Sequence, residues 1–151
     1  MAISKYGINS KPLTLDPTLR GVAPNGSFGG DVICVRDKYV IEAGDVSGAI
    51  IKMGRMKKDE VMLDCILDGN ALGASVTAKV GTAKKGDGGA DDDDRFITAT
   101  TVAAATTLRL NDPTNGRQYT ATEDMDIIVT IGGATPTTGT ILWFTAYLQR
   151  K

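Results

Sequence analysis

Carboxylates are the side chains with the clearest chemical potential in this chain, and they cluster in two places. Residues 91–94 are four aspartates close to Asp87, and Glu123, Asp124 and Asp126 lie together further along. The first cluster could hold a hard cation such as calcium, which takes about six to eight oxygen ligands. Its order of acids and glycines does not fit an EF-hand loop, so the pattern favours a solvated acidic loop balanced by neighbouring basic residues.

The second carboxylate cluster could be the acid and base of a glycosidase. Such a pair needs a cleft with aromatic platforms and one carboxyl whose pKa is raised. The chain has only eight aromatic residues, and we expect Trp143, Phe144, Tyr147 and Tyr119 to lie in a core or an interface. The glycosidase interpretation is therefore disfavoured.

Histidine is absent from the chain. Without it there is no Ser-His or Cys-His nucleophile pair, no imidazole acid–base group and no ordinary zinc site. Residues 81–86 have the glycine spacing of a phosphate-binding loop, but Asp87 stands where the essential lysine would be and would repel phosphate. We expect a protein that is not an enzyme and has no cofactor and no metal site.

Composition describes an ordinary globular chain of 151 residues with a net charge of −1 and 42% hydrophobic residues. This balance gives no bulk attraction to nucleic acid or to an acidic membrane surface. No segment approaches the roughly 20 apolar residues that cross a bilayer, and the N-terminus has no signal-peptide core. We therefore expect synthesis in a cytosol, with Cys34 and Cys65 as buried free thiols.

Short apolar runs separated by turn residues predict an all-β domain. One face of each strand is predicted to be uniformly apolar, with Val61, Leu63, Cys65 and Leu67 in one strand and Val76, Ala78 and Val80 in the next. Residues 32–35 and 39–41 are predicted to form one strand or a pair. Further strands are predicted at residues 46–53, 61–67, 75–80, 95–98, 118–121, 126–131 and 140–150, with a brief one at 108–110. Residues 100–107 are expected to form a short helix or an irregular link. About eight or nine strands favour a two-sheet antiparallel sandwich of jelly-roll or Greek-key type, ahead of an immunoglobulin-like sandwich, whose Cys-Trp-Cys order is missing.

The chain divides into an extended N-terminal arm at residues 1–30 and a β-sandwich domain at residues 31–151. The first segment is rich in proline and glycine and has no sustained apolar period. Either it is a loose terminus, or it becomes ordered on a neighbouring subunit. The side chains expected to anchor it on a partner are Ile3, Tyr6, Ile8, Leu13, Leu15 and Leu19.

Residues 140–150 form a terminal strand that is apolar on both faces. Such a strand must be covered on both sides, either by its own domain or by a second subunit. The residues predicted to contact a partner are Trp143, Phe144, Tyr147 and Leu148.

Residues 44–149 resemble small structural proteins of tailed bacteriophages. The resemblance is carried by strand-and-turn phrases: Lys-Met-Gly-Arg-Met at 52–56, Val-Met-Leu-Asp-Cys-Ile-Leu-Asp at 61–68, Val-Thr-Ala-Lys-Val-Gly-Thr-Ala at 76–83, Asp-Asp-Arg-Phe at 93–96, Ile-Ile-Val-Thr-Ile-Gly-Gly-Ala at 127–134 and Gly-Thr-Ile-Leu-Trp-Phe at 139–144. The resemblance implies a jelly-roll head decoration or cement protein, made in the cytoplasm of a bacterial host. Such a protein sits as a homotrimer on the capsid surface and bridges neighbouring copies of the major capsid protein.

Two other functions fit the same β-rich composition. One is a structural module associated with a phage tail, baseplate or fibre. The other is a carbohydrate-binding sandwich, which needs an exposed aromatic platform with polar neighbours, for which Tyr119 with Gln118 and Asn115 is the sequence candidate.

Overall fold

The computed structural model describes residues 5–6, 31–86, 90–112, 116 and 118–150, with only the backbone described for Lys5, Tyr6 and Ala90. The described residues form strands and connecting segments without a helix. The strands are β1 (Lys5–Tyr6), β2 (Val32–Val40), β3 (Ile50–Met56), β4 (Val61–Gly69), β5 (Thr77–Lys84), β6 (Ala90–Thr101), β7 (Thr106–Arg109), β8 (Met125–Gly132) and β9 (Ile141–Gln149). In this part of the chain no helix could cross a membrane.

Two sheets pack as a sandwich with jelly-roll wiring. The five-stranded sheet has the order β1-β3-β8-β5-β6, and the four-stranded sheet has the order β2-β9-β4-β7. All neighbouring strands pair antiparallel except for β1, which lies parallel to β3. If β2 is counted as strand 1, the four-stranded sheet has the strand order 1-8-3-6. The five-stranded sheet has the order 2-7-4-5, with β1 added at its edge. This is the strand order of a jelly roll. The predicted fold class is confirmed.

The core lies between the two sheets and follows the alternation of the strands. In β9, Leu142, Phe144, Ala146 and Leu148 are buried, while Trp143 and Tyr147 are exposed. This strand is central in its sheet, between β2 and β4. The domain therefore covers one face of β9, and within the described residues the opposite face remains accessible at both aromatic side chains.

A bulge in β4 changes the predicted inward face of that strand. The alternation assigned Val61, Leu63 and Cys65 to one face, but the register shifts between Met62 and Asp64. Met62 is therefore fully buried and Leu63 is exposed. A bulge adds one residue to a strand, so inward and outward positions are exchanged in the part of the strand beyond it. A strict alternation with a period of two does not predict this exchange.

The four aspartates at residues 91–94 are part of a strand, so the prediction that they lie in a solvated acidic loop is wrong. Strand β5 continues to Lys84, and β6 begins at Ala90 and contains all four aspartates of residues 91–94. Strand pairing tolerates this charge because Lys79 lies 2.6 Å from Asp93, and Arg95 lies 3.4 Å from Asp91 and 3.3 Å from Asp92.

Three other segments differ from prediction in detail. The strand predicted at residues 46–53 begins at Ile50, because the chain makes turns before that residue. Residues 102–105 form an irregular link, one of the two predicted alternatives. Around Thr120 only an isolated bridge to Val61 forms in place of the strand predicted at residues 118–121.

Most of the predicted N-terminal arm lies outside the described residues. Lys5 and Tyr6 pair with Ile51 and Lys52 of β3. The other predicted anchors, Ile3, Ile8, Leu13, Leu15 and Leu19, fall outside the described part of the chain, as does the side chain of Tyr6. The division at residue 30 stays a prediction.

Both cysteines are free, but only one is buried as predicted. Cys65 is fully buried in the core and Cys34 is exposed on β2. Burial raises the pKa of the Cys65 thiol from its ordinary value of 9.0, and the nearby Asp64 carboxylate adds to the shift.

The buried Cys65 thiol predicts a loss of stability at alkaline pH. Above about pH 9 the unfolded chain releases this proton while the folded protein retains it, so the free energy of unfolding falls as the pH rises. The Cys65→Ala variant should lose less stability between pH 9 and 11, by up to about 1.4 kcal/mol per pH unit relative to the parent. Urea unfolding at each pH measures the difference, with Cys34→Ala as the control at an exposed thiol. Identical pH slopes for Cys65→Ala and the parent would contradict the prediction.

Candidate functional surface

The outer face of the four-stranded sheet is the best candidate for a functional surface. We use the name "outer face" for the side chains of β2, β9, β4 and β7 that point away from the core. Its central members are Cys34, Arg36, Lys38, Asp64, Ile66, Asp68, Thr107, Arg109, Trp143, Thr145 and Tyr147, and Val32, Val40, Ile141 and Gln149 lie at its two ends. They alternate along their strands with the buried residues of the core.

Strand register places these side chains in rows that cross the sheet. Lys38, Trp143 and Asp68 form one row, because Trp143 pairs with Lys38 on one side and Asp68 on the other. The next outer row contains Arg36, Thr145, Ile66 and Arg109. The third contains Cys34, Tyr147 and Asp64.

Aromatic side chains form the middle of the outer face. Trp143 is 44% exposed and Tyr147 is 37% exposed. The Lys38 ammonium lies 5.1 Å from the centroid of the Trp143 ring, within the range of a cation–π interaction. Exposed tryptophan, tyrosine and arginine are the residues that most often dominate the free energy of protein–protein contacts. Trp143 and Tyr147 are thus of the residue types that such contacts favour.

A shallow concavity of about 330 Å³ opens beside Trp143, and Asp68, Asn70, Thr106 and Thr107 line it. The Arg109 guanidinium lies 2.7 Å from the Asp64 carboxylate on the adjacent part of the face. Charged groups thus surround the aromatic centre, as polar groups form the rim of a typical interface.

The structure divides the predicted contact residues of the terminal strand into two pairs. Trp143 and Tyr147 are exposed on the outer face, but Phe144 and Leu148 are 1% and 0% exposed in the core. A partner cannot reach Phe144 or Leu148 in the folded chain, so the contact proposal continues with Trp143 and Tyr147 alone. Sequence reasoning missed Arg36, Lys38, Asp64 and Asp68, whose only signal was their alternation with core positions.

The second carboxylate cluster is separated into different environments. Asp126 is 3% exposed and contacts Lys52 at 2.8 Å and Arg55 at 3.2 Å. Glu123 and Asp124 lie near the surface, 3.7 Å from Lys84 and Lys85 respectively. Each carboxylate is thus matched with a cation, and Asp126 is separated from the other two by its burial.

Two basic residues of the segment 52–58 are buried or nearly so. The Lys52 side chain is only 2% exposed, and that of Arg55 is 13% exposed. Burial lowers the pKa of Lys52, and its hydrogen bond to Asp126 opposes this effect. Both residues therefore belong to a buried ion-pair cluster.

Tyr119 is not an open aromatic platform. The Arg95 guanidinium covers its ring at 4.2 Å, and Phe96 packs edge-on at 6.0 Å between centroids. Asn115, its predicted polar neighbour, lies outside the described residues. Among the residues that are described, no group of three or more histidine, cysteine, aspartate and glutamate side chains is placed to hold a metal ion.

Comparison with known proteins finds the fold and no family. No protein-family model matches the chain, and no curated protein sequence is similar to it. A chain in the capsid of Ralstonia phage GP4 has a TM-score of 0.67 and 22% identity, over 87% of this chain and 92% of that one. A chain in the capsid asymmetric unit of cyanophage Pam1 has a TM-score of 0.61 and 20% identity, over 89% and 96%.

A third similar chain comes from the acidic stable capsid structure of Helicobacter pylori bacteriophage KHP30. Its TM-score is 0.59 and its identity 10%, over 82% of this chain and 92% of that one. The covered shares are high on both sides, so these chains match almost from end to end. At these identities the likeness establishes a shared fold.

Proposed function

We propose that this chain is a structural protein of a bacteriophage virion, without catalytic activity, that binds the outside of the capsid. In this role it contacts the major capsid protein and bridges neighbouring capsid subunits as a decoration or cement protein. The observation that carries the proposal is the nearly full-length fold match to chains from three phage capsid structures.

Two features of the chain support a role in binding. Histidine is absent from the sequence, which removes the commonest acid–base catalyst. The outer face carries exposed Trp143 and Tyr147 surrounded by charged groups. A decoration protein adds buried area across subunit junctions, at about 25 cal/mol per Å² of apolar surface before the costs of association, and this gain is repeated over the particle.

The arm at residues 1–30 is the proposed contact with the major capsid protein, through Ile3, Tyr6, Ile8, Leu13, Leu15 and Leu19. Its scattered apolar side chains and lack of a regular period suit a segment that becomes ordered on another protein. The homotrimer that the phage resemblance implies also stays a prediction.

Quantitative mass spectrometry of purified virions tests the function. We expect a ratio of this chain to the major capsid protein near one. A trace amount would move the chain to the tail, baseplate or fibre, and complete absence would overturn the virion assignment. Lysine cross-linking of the same particles should join Lys5 or Lys11 to the capsid protein, and cross-links confined to other lysines would contradict the role of the arm.

Carbohydrate binding is the alternative that the outer face itself raises. Trp143 takes the place of Tyr119 as the exposed aromatic residue, with Asp68, Asn70 and Thr107 beside it. Retention on immobilised glycans that disappears in Trp143→Ala would favour this alternative. Absence of retention on every glycan would remove it.

A further inference from the structure

Apart from Arg109 on β7, which lies 2.7 Å from Asp64 at the edge of the sheet, the outer face carries its charge in two separate stripes. Arg36 and Lys38 on β2 form the basic stripe, and Asp64 and Asp68 on β4 form the acidic stripe. Strand β9 lies between them, so each stripe is about 4.8 Å from the central row of Trp143, Thr145 and Tyr147. A surface with this pattern is complementary to a copy of itself that is turned over.

We propose that a second copy of this chain docks on the outer face, related to the first by a two-fold axis that runs parallel to β9. This rotation places β2 of one subunit opposite β4 of the other. Residues that share a row across the sheet remain in that row. Lys38 then faces Asp68 of the partner subunit, and Asp68 faces Lys38 of the partner subunit. Arg36 lies diagonally between Asp64 of the partner subunit and Asp68 of the partner subunit.

Charge excludes the other simple face-to-face arrangement. A two-fold axis in the plane of the sheet but perpendicular to the strands would place the basic stripe of one subunit on the basic stripe of the other. The two acidic stripes would meet in the same way. Arg36 would then face Arg36 of the partner subunit, and Asp64 would face Asp68 of the partner subunit. Like charges in contact across an interface cost several kcal/mol, so the axis parallel to β9 is favoured.

The aromatic row supplies the apolar centre that such a pair needs. The axis passes over β9, so Trp143 packs against Trp143 of the partner subunit and Tyr147 packs against Tyr147 of the partner subunit. Both rings lose the exposure that they have in the single chain. Paired aromatic rings attract each other beyond the apolar area that they bury. The second copy thus covers the open face of the terminal strand.

The size of the face predicts a weak pair in solution. Strands β2, β9 and β4 each have nine residues, which gives an outline of roughly 30 Å by 15–20 Å, or about 500 Å² per copy. A stable complex usually buries about 800 Å² on each partner. We therefore expect a micromolar dissociation constant that rises with salt concentration. The dimer should form readily where the copies are held close together at high effective concentration.

A charge-exchange experiment on the purified full-length chain tests this pairing. Sedimentation velocity should show a concentration-dependent dimer for the parent. Lys38→Glu sets two carboxylates against each other across the interface, and Asp68→Lys sets two ammonium groups against each other, so each variant alone should dissociate at least tenfold more readily. The two variants mixed in equal amounts should form a heterodimer, which contains two contacts between positions 38 and 68. One contact keeps the parent lysine and aspartate. The other has both charges exchanged, so it again joins opposite charges. A single chain carrying both substitutions should also form a dimer again.

Matched controls change the same charge elsewhere. Lys58→Glu and Glu42→Lys lie at exposed positions in the segments between strands, and both should keep the dimer of the parent. Thermal unfolding verifies that every variant is folded. The exposed thiol of Cys34, in the same row as Tyr147, reports the interface independently: maleimide should modify it more slowly as the protein concentration rises.

Several outcomes would overturn the pairing: a parent chain that stays monomeric up to millimolar concentration, a trimer, unchanged dimers in the single variants, or a mixture that fails to associate. The experiment contains no capsid, so its result is separate from the virion assignment. A dimer would also replace the homotrimer that the phage resemblance implies.

Discussion

Replacing Asp126 with asparagine should reduce the free energy of unfolding by about 3 kcal/mol or more. The Asp126 carboxylate lies 2.8 Å from the Lys52 ammonium, and their side chains are only 4% and 2% exposed. Arg55 adds a second cation at 3.2 Å. Removing one partner of a buried ion pair costs about 3–5 kcal/mol, because the remaining charge keeps its desolvation penalty without the attraction that offset it.

The Asp126→Asn deficit should depend on pH in a defined direction. Burial already lowers the pKa of Lys52, and loss of the carboxylate lowers it further. A lysine whose pKa is lower in the folded state destabilises the fold while it is charged, so the deficit should shrink as the pH rises toward 10.5. Urea unfolding at pH 7 and at pH 10 measures this change.

The control for Asp126→Asn is the same substitution at a half-exposed ion pair. Asp93 lies 2.6 Å from Lys79, with side chains 33% and 28% exposed. Asp93→Asn should cost less than about 1 kcal/mol, as exposed pairs generally do. Lys52→Met should recover part of the Asp126→Asn loss, because it removes the buried charge. Equal small costs for Asp126→Asn and Asp93→Asn would contradict the buried character of the cluster.

Replacing Gly81 with alanine should destabilise the protein by about 3 kcal/mol or more. Gly81 lies in β5 opposite Ile128, and a Cβ atom there would collide with the backbone of Asp92 and Asp93. The obstacle is main chain, so no side-chain rotation relieves it. Overpacking of a well-packed site costs about 1–3 kcal/mol, and a backbone collision lies at or above the upper end of that range.

The Gly81 collision arises where the pairing of β6 with β5 is irregular and brings the β6 backbone close to Gly81. While β5 advances from Val80 to Thr82, the paired position in β6 moves from Ile97 to Asp92. Gly44→Ala is the matched control, since a Cβ atom at Gly44 meets nothing within 4 Å. Chemical denaturation should separate the two variants clearly. If the free energies of unfolding of Gly81→Ala and Gly44→Ala differ by less than about 0.5 kcal/mol, the backbone of β6 does not lie so close to Gly81.

Much of the fold was predictable from local pattern. The alternation at residues 75–80 placed Val76, Ala78 and Val80 in the core, and all three are fully buried. Such alternation works because successive side chains of a strand point to opposite faces. It failed at the bulge in β4. At the aspartate run, acidic composition predicted a loop, but the residues form a strand whose charge is balanced in part by Lys79 from a neighbouring strand.

The candidate surface was only half predictable. Trp143 and Tyr147 were named as contact residues because the terminal strand is apolar on both faces, but the pattern also named Phe144 and Leu148. Which pair points outward depends on which side the five-stranded sheet covers, and a strand that is apolar on both faces does not contain that information.

By itself, the sequence determined an all-β chain with turns near their observed places and without histidine chemistry, because these properties depend on residue type and near neighbours. The tertiary structure alone decided that β9 lies between β2 and β4. That insertion brings Lys38 and Asp68, far apart in the chain, to opposite sides of Trp143. Pairing of β3 with β8 likewise brings Lys52 to Asp126 and buries both. Strands that are distant in the sequence pair because their pairing buries the core as a whole. No local segment of the sequence specifies that pairing.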